Sequence, residues 1–154
     1  MERDVKIRAA VPGDAAALLE IYTPYVRETA ISFEYEPPSL AEFTGRMETV
    51  LQRYPYLAAE LEGAILGYAY AGPFKARSAY NWGVEVTIYV ERDARKSGVG
   101  GSLYAALEKI LAEQHVLNLN ACIGVPRGED PYLTNNSVEF HRHLGFRPVG
   151  QFHQ

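Results

Sequence analysis

The chain has 154 residues, 47% of them hydrophobic and 22% charged, and a formal net charge of −4; this is the balance of a single soluble globular domain long enough to bury a core. Net negative charge argues against a nucleic-acid binder, and neither a membrane-length apolar run nor a signal peptide at Met1-Glu2-Arg3-Asp4 is seen, so a cytoplasmic protein is expected. The single cysteine, Cys122, excludes internal disulfides and cysteine-based zinc clusters, and no metal is inferred.

Val5 to Ala9 reads as an edge strand ended by Pro12-Gly13, after which Asp14 can cap a helix carrying Leu18, Ile21, Tyr22 and Tyr25. A loop with two prolines runs from Phe33 to Pro38. Ser39-Leu40-Ala41-Glu42 is a capping box opening a second helix through Phe43, Met47, Val50 and Leu51. Tyr56 to Leu61 and Ile65 to Ala71 form a hairpin around Glu62-Gly63. From Trp82 to Val90, Val84, Val86, Ile88 and Val90 alternate with Glu85, Thr87 and Tyr89, the period of a strand. Leu103, Leu107, Ile110 and Leu111 then mark one face of a helix. A strand from about Leu119 to Val125 and the loop Pro126 to Asn136 follow. A short helix from Ser137 to His143 ends at Gly145, and Phe146 to Phe152 reads as one more strand. The order β-α-α-β-β-β-α-β-α-β predicts an α/β domain, a mixed sheet covered by helices on both faces.

Between the strand at 82–90 and the next helix lies Arg95-Lys96-Ser97-Gly98-Val99-Gly100-Gly101-Ser102. A glycine-rich, basic turn feeding a helix N-terminus offers free N–H groups and the positive end of the helix dipole to an anion. It reads as a phosphate cradle or as a plain strand-to-helix turn with solvated cations. No lysine follows the glycines as in the nucleoside-triphosphate loop, and Leu103 stands where the dinucleotide fingerprint needs its third glycine. The remaining R-x-x-G-x-G resembles the acetyl-coenzyme-A loop of the GNAT acetyltransferase superfamily. Gly72-Pro73-Phe74-Lys75-Ala76-Arg77-Ser78-Ala79-Tyr80-Asn81-Trp82-Gly83-Val84-Glu85 resembles its phosphinothricin acetyltransferase branch. So do Phe33 with Glu34-Tyr35-Glu36-Pro37, Arg53-Tyr54-Pro55, and Phe140-His141-Arg142-His143-Leu144-Gly145-Phe146, so that the likeness runs from about residue 6 to 150.

The resemblance implies the GNAT fold, a mixed and mostly antiparallel sheet with a splayed cofactor cleft, in one N-acetyltransferase domain over 1–154. The family's final strand is expected to be missing before Gln154. It also implies acetyl-CoA as cosubstrate, a homodimer, and no nucleic-acid or membrane partner. Backbone donors at the end of the 82–90 strand are suited to a thioester carbonyl, so Ile88, Tyr89 and Val90 are expected to meet the acetyl and pantetheine portions. Arg95, Lys96, Ser97, Gly98, Val99, Gly100 and Gly101 are expected at the pyrophosphate. Thr134, where relatives often carry a cofactor-contacting asparagine, and Ser137 complete the expected cofactor set, with Asn135 an alternative to Thr134.

Acetyl transfer to an amine needs a base, a polarised carbonyl and a protonated leaving thiolate. Glu85 is the only acid in an apolar strand segment and points away from Val84, Val86 and Ile88; burial would raise its pKa toward a base's working range. Its other reading is a carboxylate paired with a cation, and the resemblance implies the catalytic glutamate. His141, on a short polar helix, reads on its own as a solvated histidine; the resemblance implies a proton donor or a hydrogen-bond partner at the site. Lys75 and Arg77 suit anionic groups of an amino-acid substrate, with Phe33, Phe74, Tyr80 and Tyr89 as walls; otherwise they form a solvated basic loop beside ordinary core. Together these imply transfer of an acetyl group from acetyl-CoA to a small amino-acid-like amine of the phosphinothricin or methionine sulfoximine type, by direct attack in a ternary complex. The alternatives are a protein N-terminal or lysine acetyltransferase and a non-catalytic acyl-CoA-binding module.

Overall fold

The computed structural model describes residues 5–28, 35–73, 83–91, 98–114, 118–121, 140–142 and 144–147. Their elements are β1 (Lys6–Ala9), α1 (Ala15–Glu28), α2 (Leu40–Leu51), β2 (Tyr56–Leu61), β3 (Ala64–Pro73), β4 (Gly83–Val90), α3 (Val99–Glu113) and β5 (Asn118–Asn120). The strands form one sheet in the order β1-β2-β3-β4-β5. All neighbours are antiparallel except β4 and β5, which run parallel, so the sheet is mixed as the pattern predicts and β1 lies at its edge.

The period-two alternation sorts the sheet's side chains between two cores. On one face α1 and α2 bury Leu18, Ile21, Tyr22, Phe43 and Met47 against Tyr56, Ala58 and Tyr68. On the other, Leu103, Tyr104, Leu107 and Leu111 of α3 pack on Leu57, Ala59, Ala69, Ala71, Val84 and Val86. The 57–59 and 69–71 positions on this face are mostly alanine, which lets α3 lie close over the centre of the sheet. The β2–β3 hairpin turns at Glu62 (φ 51°) and Gly63 (φ 84°), consecutive left-handed residues that match strand twist in a two-residue turn.

Two local readings change. Asp14 does not cap α1; it ends a 3-10 turn at Pro12–Asp14. Its carboxylate accepts the Val11 N–H at 2.9 Å and forks onto Arg8 at 2.8 and 2.9 Å, and the guanidinium holds that carboxyl below its usual range. A bidentate arginine partner outcompetes a capping role. At α2, Ser39 does cap, accepting the Glu42 N–H at 3.1 Å. The strand expected from Leu119 to Val125 is described only as Asn118–Asn120, and residues 146 and 147 of the expected last strand are not in a strand. The remainder of both lies outside the described residues.

Candidate active site

β4 carries the site because its two sets of groups point in four directions. Val84 and Val86 pack into the α3 core, so Glu85, Thr87 and Tyr89 face α1 and α2. Its backbone alternates as well. The Glu91 N–H donates to Leu66 O at 2.7 Å, which fixes the odd-numbered residues of β4 as those whose backbone groups turn to β3. The even-numbered ones turn to the β5 side, as the Asn120 side-chain amide reaching Val84 O at 3.2 Å and the Tyr25 hydroxyl donating to Val90 O both confirm.

The parallel ladder ends at Glu85 opposite Asn120. Beyond that rung, among the described residues, no strand pairs with the N–H groups of Ile88 and Val90. Among the described residues this is an open edge, able to accept an extended chain of alternating donors and acceptors. Of the expected backbone contacts, Ile88 and Val90 are thus suitably aimed. Tyr89 is different: its N–H is committed to β3, so it offers its ring, which packs edge-on to Tyr22 at a centroid distance of 4.9 Å.

Glu85 is half-buried, and burial raises its carboxyl above the ordinary carboxylate range. Across the β3 rung stands Gly72, where a Cβ would meet nothing within 4 Å among the described residues. A raised carboxyl beside an open position is the arrangement a general base needs. On the same face Arg46 of α2 reaches a cavity of about 80 Å³ floored by Tyr56, Tyr68, Tyr70 and Tyr89.

Gly98 opens α3 at φ 86°, a left-handed conformation that a side chain resists. Gly98→Ala should cost about 1–2 kcal/mol of stability, read from urea unfolding. Val99 is buried and anchors the helix start, a Cβ on Gly101 would meet nothing within 4 Å among the described residues, and Gly100 serves packing: a Cβ there would lie 2.8 Å from the Phe140 ring. Among the described residues the turn thus keeps two glycines open at the helix N-terminus, Gly98 and Gly101, and commits Gly100 to the helical turn at 140–142.

That turn carries His141, and here the solvated reading fails. His141 is only 5% exposed, with its Nε2 2.8 Å from the buried Tyr104 hydroxyl and its ring edge-on to Phe140 and Phe146. Arg142 beside it is exposed on the outer side of the turn; the inner side is closed by the Phe146 N–H returning to His141 O at 3.0 Å. Burial pushes the Tyr104 phenol well above its usual value, so the hydroxyl stays protonated and is able to donate to Nε2 or to accept from it, according to the imidazole tautomer. Tyr104→Phe should cost about 1–3 kcal/mol by stranding that nitrogen, measurable by thermal or urea unfolding. His141 and Glu85 lie on opposite faces of the sheet, and the open edge of β4 lies between those faces.

Phe33, Phe74, Lys75, Arg77, Tyr80, Arg95, Lys96, Ser97, Thr134 and Ser137 lie outside the described residues.

Comparison with known proteins places the chain alongside one group. A family model described as "Acetyltransferase (GNAT) domain" matches residues 7–154. A phosphinothricin N-acetyltransferase of Streptomyces viridochromogenes is 40% identical over 148 residues, 96% of this chain and 77% of the relative. An L-methionine sulfoximine/L-methionine sulfone acetyltransferase of Pseudomonas aeruginosa is 31% identical over 150 residues, 96% of this chain and 83% of that one. Among solved structures, a GNAT superfamily phosphinothricin acetyltransferase from Sinorhizobium meliloti in complex with AcCoA superposes with a TM-score of 0.85 at 36% identity, over 97% of this chain and 77% of that one.

Proposed function

The chain belongs to the GNAT N-acetyltransferases, and on that premise we propose that it acetylates the amino group of a small amino-acid-like substrate of the phosphinothricin or methionine sulfoximine type. The observation that carries this is the pairing on β4 of a half-buried, pKa-raised Glu85 with an open backbone edge at Ile88 and Val90. The bound cosubstrate, acetyl-CoA, supplies an acetyl thioester. The chain's residues fit it: the open edge offers strand-like donors, and the N-terminus of α3 with Gly98 and Gly101 offers N–H groups to a phosphate.

Glu85 takes the proton from the substrate ammonium or attacking amine, in the space that Gly72 leaves open. The N–H groups at the open edge hold the reacting carbonyl's oxygen. Nitrogen–carbon bond formation is matched by carbon–sulfur cleavage, and the thiolate is protonated from the His141 side, with the Tyr104 hydroxyl holding the imidazole through its Nε2. A base on one face and a donor on the other suit a reacting centre held at the sheet edge between them. Lys75 and Arg77 are proposed to hold the substrate's carboxylate, with Phe33, Phe74 and Tyr80 as walls. Arg95, Lys96, Ser97, Thr134 and Ser137 complete the proposed cosubstrate contacts. A homodimer in the cytoplasm completes the proposal; among the described residues no helix is long and apolar enough to cross a membrane.

The test is thiol release from acetyl-CoA with a panel of amines: phosphinothricin, methionine sulfoximine, ordinary amino acids, polyamines and a short peptide. Turnover confined to the small amino-acid analogues supports the proposal. Turnover of the peptide alone would move the acceptor to a protein, and binding without turnover would make the chain a non-catalytic acyl-CoA module.

A further inference from the structure

We propose that Tyr25 is a positioning residue for the cosubstrate: its hydroxyl, donated to Val90 O, holds the end of the open edge in the orientation that receives the arm of acetyl-CoA. This rests on the cosubstrate reading above. Tyr25 lies toward the end of α1, and only 4% of it is exposed. Tyr22, three residues earlier, projects from the same helix face, and the two rings flank Tyr89 at centroid distances of 4.9 Å for Tyr22 and 5.2 Å for Tyr25. A phenylalanine would make the ring contact equally well. What the hydroxyl adds is a bond from a helix to a strand carbonyl. Val90 is an even-numbered residue of β4, so its C=O turns away from β3, and among the described residues no strand pairs with it.

The peptide group concerned is gripped at both ends. Its carbonyl, Val90 O, accepts from Tyr25 on one side, and its N–H, that of Glu91, donates to Leu66 O at 2.7 Å on the other. A peptide unit is rigid and planar, so fixing both ends fixes its rotation about the strand axis. This happens where β4 ends, at Val90, and a strand end with few partners is where a sheet opens most readily. The N–H groups of Ile88 and Val90 are two residues apart, roughly 7 Å, and an arm laid along that edge has to meet both in register. A carbonyl oxygen has two lone pairs, so the Tyr25 hydroxyl takes one at Val90 and leaves the other to a donor on the arm. The hydroxyl therefore acts on acetyl-CoA through Val90.

The experiment is Tyr25→Phe, which keeps the ring and removes the bond. In the ligand-free chain, hydrogen exchange followed by NMR should quicken at the Glu91 amide by roughly 2- to 12-fold, and by less at the Thr87 and Tyr89 amides of the same ladder. Calorimetric titration should show acetyl-CoA bound roughly 2- to 12-fold more weakly. The nucleotide half of the cosubstrate without its arm, 3′-phospho-ADP, should be held as tightly as before. In kinetics the loss falls on KM for acetyl-CoA more than on kcat. Unaltered affinity for acetyl-CoA in Tyr25→Phe would overturn the proposal. So would an equal loss on both probes, which marks a general loosening of the site instead of a misplaced arm. If the unaltered chain does not bind acetyl-CoA, the cosubstrate reading itself has failed and the positioning role falls with it.

Discussion

Glu85→Gln lowers kcat by roughly 100- to 10,000-fold and leaves acetyl-CoA binding intact, because the side chain faces α1 and α2 while the open edge belongs to the backbone of Ile88 and Val90. Stopped-flow or steady-state thiol release gives the first number and calorimetric titration of acetyl-CoA the second. The pH profile adds a second signature. Only the ionised carboxylate accepts a proton, so activity climbs with pH through the carboxyl's raised pKa, on a limb displaced upward from ordinary carboxylates. Stability runs the other way. Between its ordinary and raised pKa the folded chain binds more proton at Glu85 than the unfolded chain, so stability from this group is full below that window and lost as pH rises through it. The inactive glutamine variant should therefore unfold at a slightly higher temperature than the active chain at neutral pH. A variant that is both inactive and less stable would mean that Glu85 is held by a structural partner instead.

Leu107→Ala is expected to cost about 2–5 kcal/mol. Leu107 is fully buried at the centre of α3, in the cluster with Leu103, Tyr104, Leu111, Val84 and Val86. The opposing sheet positions include Ala59, Ala69 and Ala71, whose side chains are too short to fill the void. Urea unfolding gives the loss directly. Because α3 also presents Gly98 and Tyr104, the damage is not confined to stability: the affinity for acetyl-CoA should weaken as the helix start loosens. Saturating acetyl-CoA should in turn recover part of the loss, about 2.7 kcal/mol at a hundred times its dissociation constant if only the folded chain binds.

The backbone of the site was legible in sequence where one periodicity held without competition. The alternation at 82–90 located β4, its inward faces and Glu85, and the stripe from Leu103 to Leu111 located α3. The Glu62-Gly63 turn was legible because few sequences accept two left-handed residues. Misreadings came where tertiary partners outweighed local grammar. Asp14 has the letter of a cap, but Arg8, six residues earlier and on another element, takes its carboxylate. His141 sits among polar neighbours, but Tyr104, thirty-seven residues away, draws it inward. The role of Tyr89 was blurred because composition marks a strand without saying which of its amides face which neighbour; only the register decides that.

The division of labour along β4 has a consequence for how this enzyme tolerates change. In the proposed mechanism proton transfer depends on the parity of the side chains and acyl positioning on the parity of the amides, and both are counted from the same residue. Inserting or deleting one residue within 83–90 exchanges every facing at once, turning Glu85 toward α3 and handing the open edge to amides now bound to β3. Substitutions at Thr87 or Tyr89 change one side chain and leave every facing in place; a change of length cannot be repaired by any of them. In a library of variants, β4 should therefore accept replacement at several positions and reject every single-residue indel, whereas the Glu62-Gly63 hairpin, far from that count, should accept added residues readily.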